Sequence, residues 1–365
     1  MENTLLTEKK KSFELYDAAL ATILFIVFNF AFSFIYSMIP KSVRANDVVY
    51  FLASFTIEAL FAVAAYVVAR ARKTDFLVAL GARKKINSNC IFYGIIISFA
   101  CLLFFSRLTN VFLNFLGLCG YSSVLGDLEI NNFGTYLVYV LVSCVTPAVC
   151  EEFLFRGTIA SGFKKLGFKT ALIASSLIFT FMHGNPEQTV HQFIIGIVVG
   201  YIFLKTSNIW LGIIIHFMNN FVAVTMTYAN SFISDTEVAA ETVQVVEYGW
   251  GSLAVDLVIS VVIAAIGFFL VQKLITAITK ESNKINGVEE SKENSTIKVD
   301  GDAVAIEMSV DGEPTAVETE ENESGEVKVE EKPKFTMSIV IMFVVSAAFF
   351  AIEWLTALLS GLGVL

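Results

Sequence analysis

Residues 133–157 read FGTYLVYVLVSCVTPAVCEEFLFRG, an apolar run that closes on two adjacent glutamates and an arginine. About 20 predominantly apolar residues suffice for a helix to cross the hydrocarbon core, and 133–155 meets that length. Charged side chains at such depth are costly and are kept for pairing or function. The stretch therefore says two things: the chain crosses a membrane, and something within the crossing needs carboxylates.

The apolar signal recurs near 16–39, 48–69, 90–116, 170–184, 189–204, 209–228, 253–278 and 335–360. Composition agrees. Of 365 residues, 56% are hydrophobic and 16% charged, and 34 are Phe against 25 Lys and Arg together. Mean hydropathy is +0.70, whereas soluble chains hold about 25% charged residues. This excludes a soluble enzyme, a nucleic-acid binder and a disordered protein as readings of the whole chain. Lys9-Lys10-Lys11 precede the first run as in a signal peptide, but the run is too long and lacks a cleavage site, so it reads as a retained span.

The net charge of −9 is local. Sixteen of the 34 acids and six of the 25 bases lie in 281–334, leaving 18 acids and 19 bases elsewhere. That segment has no sustained apolar period and cannot bury enough surface to offset its ordering entropy; it is expected to be a disordered linker tethering an extra last helix. Basic clusters at 9–11, 70–73 with 83–85, 164–169, Lys205, and Lys273 with Lys280 alternate with base-poor loops at 119–132 and 229–252. Lys41 and Arg44 are the exception. By the positive-inside rule, the N-terminus and the 281–334 linker are expected in the cytoplasm and the C-terminus outside. The five cysteines form no CxxC pair and read as small buried apolar residues.

Polar groups inside the spans differ in what they say. Glu58, Asp256 and Glu353 are isolated and read as structural, and Arg107 as a residue that snorkels or marks the end of the third span. Glu151 and Glu152 point about 100° apart on a helix. Glu152 and Arg156, at i and i+4, share a face and pair. Glu151 must find its partner on another helix, the situation of a general base. His183 and His216 also lie in apolar helices, with Asn220 one turn beyond His216; His191, near the start of its span, reads as structural. Glu151 and His183 lie 16 residues on either side of Gly167, in the basic turn KKLGFK, hence at matching depth. His216 and Asn220, 11 and 15 residues past Lys205, fall in the same band. Pro147 is expected to kink its helix and free a carbonyl; irregular backbone at this depth suits a water-filled cavity.

The pattern Glu151-Glu152-x-x-x-Arg156, then Phe179-x-x-x-His183, then His216-x-x-x-Asn220 resembles the three motifs of the CPBP intramembrane glutamic endopeptidases, the CAAX-protease and bacteriocin-processing (Abi) family. The resemblance covers about 130–228 and reaches the KTSNIW loop. It implies an all-α polytopic membrane protein, with an eight-helix protease body and one added C-terminal transmembrane helix. The segments are N-terminal helices in 1–125, the catalytic core in 130–228, an eighth helix region in 229–280, the linker in 281–334 and the last helix in 335–365. It implies that Glu151 activates water with His183, that His216 and Asn220 donate to the oxyanion, and that Glu152 and Arg156 support them. No cofactor and no metal are implied. The expected partners are the bilayer and a membrane-associated peptide or protein substrate, processed in CAAX maturation or in bacteriocin maturation and self-immunity. Entry is expected from the cytoplasmic side, past Ile213. Oligomeric state and substrate identity stay open. Two alternatives stand beside this: a zinc metalloprotease, although HExxH is absent, and a non-proteolytic scaffold or immunity protein.

Overall fold

A computed structural model describes residues 12–123, 130–234, 248–288, 320–321, 327–328 and 335–365. The chain is an all-α, multi-pass membrane protein. Eight helices are long and apolar enough to cross a membrane: α1 (Leu15–Ser37), α2 (Asp47–Ala71), α3 (Ser88–Leu118), α4 (Phe133–Leu166), α6 (Pro186–Thr206), α7 (Ile209–Ser234), α8 (Trp250–Ile285) and α9 (Met337–Gly361). Between α4 and α6 stands the shorter apolar α5 (Phe168–Met182).

Short polar residues start these helices. Asn46, Asn87 and Asn132 accept from the backbone N–H of Val48, Cys90 and Thr135 at 3.0, 3.0 and 2.9 Å, and so satisfy donors a helix cannot satisfy itself. Arg72, past the end of α2, pairs with Glu14 at 2.7 Å and Asp17 at 3.2 Å and ties α2 to the start of α1. An aromatic series, Phe25 on Phe61 (4.0 Å between centroids), Phe61 on Phe155 (5.8 Å) and Phe155 on Phe179 (5.1 Å), runs from α1 through α2 and α4 into α5.

α4 is not uniform. Residues 140–145 and 153–160 are π-helical, and the α-helical turn 146–152 between them carries both glutamates. Hydroxyls from Thr146 and Thr158 take the carbonyls of Leu141 and Phe153, five residues back, at 2.8 and 3.1 Å. Such widened turns are rare and concentrate at functional sites.

Two readings from the sequence change. Arg107 does not mark a span's end: α3 continues to Leu118, and Arg107 pairs across the helices with Asp256 of α8 at 3.0 Å. Asp256 also accepts from the Tyr248 hydroxyl at 2.9 Å. Nor does the 281–334 segment leave the fold at its first residue. α8 runs through Ile285 because Glu281 accepts from Asn87 (2.6 Å) and Asn89 (3.2 Å), while Asn286 exchanges hydrogen bonds with the Lys85 backbone at 2.8 and 3.0 Å. Apart from an antiparallel pairing of Glu320–Glu321 with Val327–Lys328, the rest of that segment lies outside the described residues.

α9 is docked, not merely tethered. Phe343 packs on Phe163 at 5.4 Å, the Trp354 indole donates to Thr189 Oγ1 at 2.8 Å, and the Ser122 N–H donates to the Gly361 carbonyl at 2.7 Å.

Candidate active site

Glu152 organises the charged layer. Its Oε1 accepts from Arg156 at 2.8 Å, the i,i+4 pair anticipated from spacing, and from His216 Nδ1 at 3.0 Å. All three side chains are almost wholly buried. The Arg156 guanidinium also sits 4.3 Å over the Phe179 ring, which desolvated cations favour. Phe179 touches both histidines edge-on, His183 at 5.1 Å and His216 at 5.8 Å. Gly212, one turn before His216, completes the enclosure: a Cβ there would lie 2.8 Å from Glu152 Oε2 and 2.8 Å from Val199.

These contacts assign ring protons. A carbonyl only accepts, so His183 Nδ1, 2.8 Å from the Phe179 carbonyl, carries a hydrogen. The neutral ring then turns a bare Nε2 outward as an acceptor. Glu152, ionised against Arg156, likewise requires the hydrogen on His216 Nδ1. His216 Nε2 lies 4.0 Å from Glu151 Oε2.

Pro147 supplies the backbone irregularity. Its missing N–H leaves the Ser143 carbonyl without an i+4 donor, and Asn220 Nδ2 donates there at 3.2 Å. Asn220 retains a second N–H. Its neighbour Asn219 donates to His191 Nε2 at 2.9 Å, which gives His191 a structural anchor.

Glu151, His183, His216 and Asn220, from α4, the end of α5, and α7, line one cavity of about 410 Å³. Glu58, Gln188 and Gln192 line it too. Among the described residues, no three His, Cys, Asp or Glu side chains converge at metal-ligating separations. Ile213 does not line the cavity: it packs with Ala148, Ala160, Phe203 and Ile209. Entry past Ile213 is therefore corrected. Reasoning from sequence also missed Glu58, read as structural, whose only signal was a carboxylate within an apolar span. Gly212 carried no signal at all.

The model described as Type II CAAX prenyl endopeptidase Rce1-like matches residues 133–222, the stretch from the start of α4 to just past Asn220. Residues 133–222, about a quarter of the chain, are thus similar to the CAAX-protease family. A curated relative from Bacillus subtilis (strain 168), "Putative membrane peptidase YdiL", is 28% identical over 88 residues. The alignment takes in 24% of this chain and 36% of the relative, so the chain spans about a third of that relative's length. No solved structure matches. The matched segment carries Glu151, His183, His216 and Asn220, while Glu58 reaches the cavity from α2; α1–α3, α8 and α9 lie outside the matched residues.

Proposed function

We propose that the chain is an intramembrane endopeptidase of CAAX type that hydrolyses peptide bonds with a water activated by Glu151. The observation that carries this is the convergence of Glu151, His183, His216 and Asn220 on one cavity from three helices. Water held between the Glu151 carboxylate and His183 Nε2 gives its proton to Glu151 as its oxygen bonds to the scissile carbonyl carbon. The oxyanion accepts from Asn220 Nδ2–H and from His216 Nε2–H. Because His216 Nδ1–H is engaged by Glu152, Nε2 donates only when the ring is an imidazolium, and Glu152 lies where it stabilises that form. Such preorganised donors are worth most in a site of low dielectric. On collapse the C–N bond breaks, and Glu151 returns the proton to the leaving amine.

The substrate class that fits the family is a membrane-associated CAAX-type protein; peptide or bacteriocin maturation is the second. The alternation of basic loops supports a cytoplasmic N-terminus, testable by labelling single cysteines in loops on either side. The enzymatic test uses purified protein in nanodiscs and a farnesylated CAAX peptide, with products read by mass spectrometry. Glu151→Gln is expected to lower kcat at least about 100-fold with unchanged thermal stability. Comparative peptidomics of cells carrying wild type or Glu151→Gln would then show a precursor that accumulates only with the variant. Full activity of a folded Glu151→Gln protein would overturn the reading.

A further inference from the structure

A second cavity, of about 750 Å³, lies where three spans end: α2 at Ala71, α4 at Leu166 and α6 at Thr206. It gathers Lys73, Lys84 and Lys164 from three basic stretches that are separate in the sequence. Lys164 Nζ donates to Ser207 Oγ at 2.8 Å and sits 5.3 Å from the centre of the Phe203 ring, which holds its ammonium at the wall with N–H groups to spare. Among the described residues none of the three lysines has an ion-pair partner, and Asp75, the carboxylate on this wall, is taken by Arg83 at 2.6 Å. Phe13, Val78 and Ala79 make the same wall partly apolar. We infer that this cavity binds the phosphate headgroup of an anionic phospholipid, with the three lysines around the phosphate and the apolar residues against the start of the acyl chains.

Lysines at helix C-termini have a simpler use, to offset the partial negative charge of the last carbonyls. That charge is about half an elementary unit per helix, so three helix ends fall short of three ammonium groups. The surplus calls for an anion, and ammonium groups serve phosphate as point charges. Depth and wall chemistry make that anion a lipid. Spans end at the headgroup layer, where phosphodiesters are concentrated, and a soluble phosphate would have no use for Phe13 and Val78. Basic pockets between spans, on the side of the membrane rich in Lys and Arg, take anionic headgroups for this reason. The volume also falls within the range of small-molecule sites. None of this draws on the peptidase reading, and none of the three lysines lines the cavity of Glu151.

The test is native mass spectrometry of the full chain in detergent, titrated with dioleoylphosphatidylglycerol. A saturable first adduct is expected, and dioleoylphosphatidylcholine at the same concentrations should not form it. Each lysine near a headgroup is worth about fivefold in affinity, so Lys73→Gln/Lys84→Gln/Lys164→Gln should weaken the adduct about 100-fold. The double variant Lys73→Gln/Lys84→Gln keeps the Lys164–Ser207 bond and should lose about 20-fold, which keeps the site testable if the triple variant does not fold. Lys273→Gln/Lys280→Gln removes as much charge from the exposed face of α8, away from the cavity, and should change affinity less than about threefold. Equal losses in the two double variants, both folded by thermal unfolding, would reduce the effect to general surface charge and overturn the site. Wild-type affinity in a folded triple variant would overturn it too. Displacement of the lipid by inorganic phosphate alone would make the ligand a free phosphate and overturn the lipid assignment. Tighter binding in Glu2→Gln/Glu8→Gln would make the chain's own N-terminal carboxylates the occupant, with the same consequence.

Discussion

Arg156 illustrates how a residue whose i,i+4 pairing is obvious does more than pair. It neutralises Glu152 at 2.8 Å and rests on Phe179 at 4.3 Å, so two spans depend on it. Arg156→Ala strands a buried carboxylate, and breaking such a pair costs about 3–5 kcal/mol; a matching fall in thermal stability in detergent, with loss of cleavage, is the expected outcome. Gly212→Ala tests the enclosure of Glu152. The added methyl needs space that Glu152 and Val199 occupy, and overpacking costs about 1–3 kcal/mol. Its kcat should fall through displacement of Glu152, and hence His216, while Ala at Gly249, where nothing lies within contact distance, should leave stability and rate unchanged. Chelation bears on the same residues. Activity is expected to survive phenanthroline, since Glu151, His183, His216 and Asn220 have roles that need no metal; loss restored by zinc would establish the metalloprotease alternative.

Elements hold these residues through their ends as much as through their apolar faces. Asn208, fully buried in the turn between α6 and α7, donates to the Lys85 carbonyl at 3.0 Å and Ser282 Oγ at 3.2 Å, and accepts from the Trp210 N–H at 3.2 Å. The Trp210 indole in turn donates to the Ala82 carbonyl at 2.9 Å. One turn thereby joins α7 to the loop before α3 and to the end of α8. Asn208→Ala leaves buried partners unsatisfied, at about 1–3 kcal/mol, and a lower melting temperature is expected. Gly81, at φ +70°, lies so close to the Ser207 carbonyl that any side chain would collide. α9 enters at this scale as well. Trp354→Phe removes its 2.8 Å donation to Thr189, and the expected effect is a modest stability loss, about 1 kcal/mol, read by thermal unfolding.

For the whole molecule, the acidic segment separates what is packed from what connects. Every α9 contact described above is made by residues of α9 itself, so shortening the chain before it should leave docking intact. Deleting 296–326 leaves 15 residues between Val288 and Phe335, an extended reach of about 50 Å. The shortened protein is expected to keep wild-type stability and cleavage rate; a large loss of either would show that the segment packs on the body.

What sequence alone determined is what local physics controls. Eight spans followed from apolar runs long enough for the bilayer, while the run at 170–184 forms a shorter helix, Phe168–Met182; the Glu152–Arg156 pair followed from helical spacing, and the common depth of Glu151 and His183 from counting along two antiparallel helices. Pro147 announced a freed carbonyl, but not that Asn220, 73 residues later, would take it. The same limit explains Arg107 with Asp256, Gly212 and the docking of α9. In each, the partner lies on another helix, and one helix's sequence does not state which face a neighbour will cover. Tertiary packing alone decided those contacts. A lone carboxylate in lipid has a cost that only a particular neighbour can offset, and which neighbour is at hand is set by how nine helices, among the described residues, fill space together.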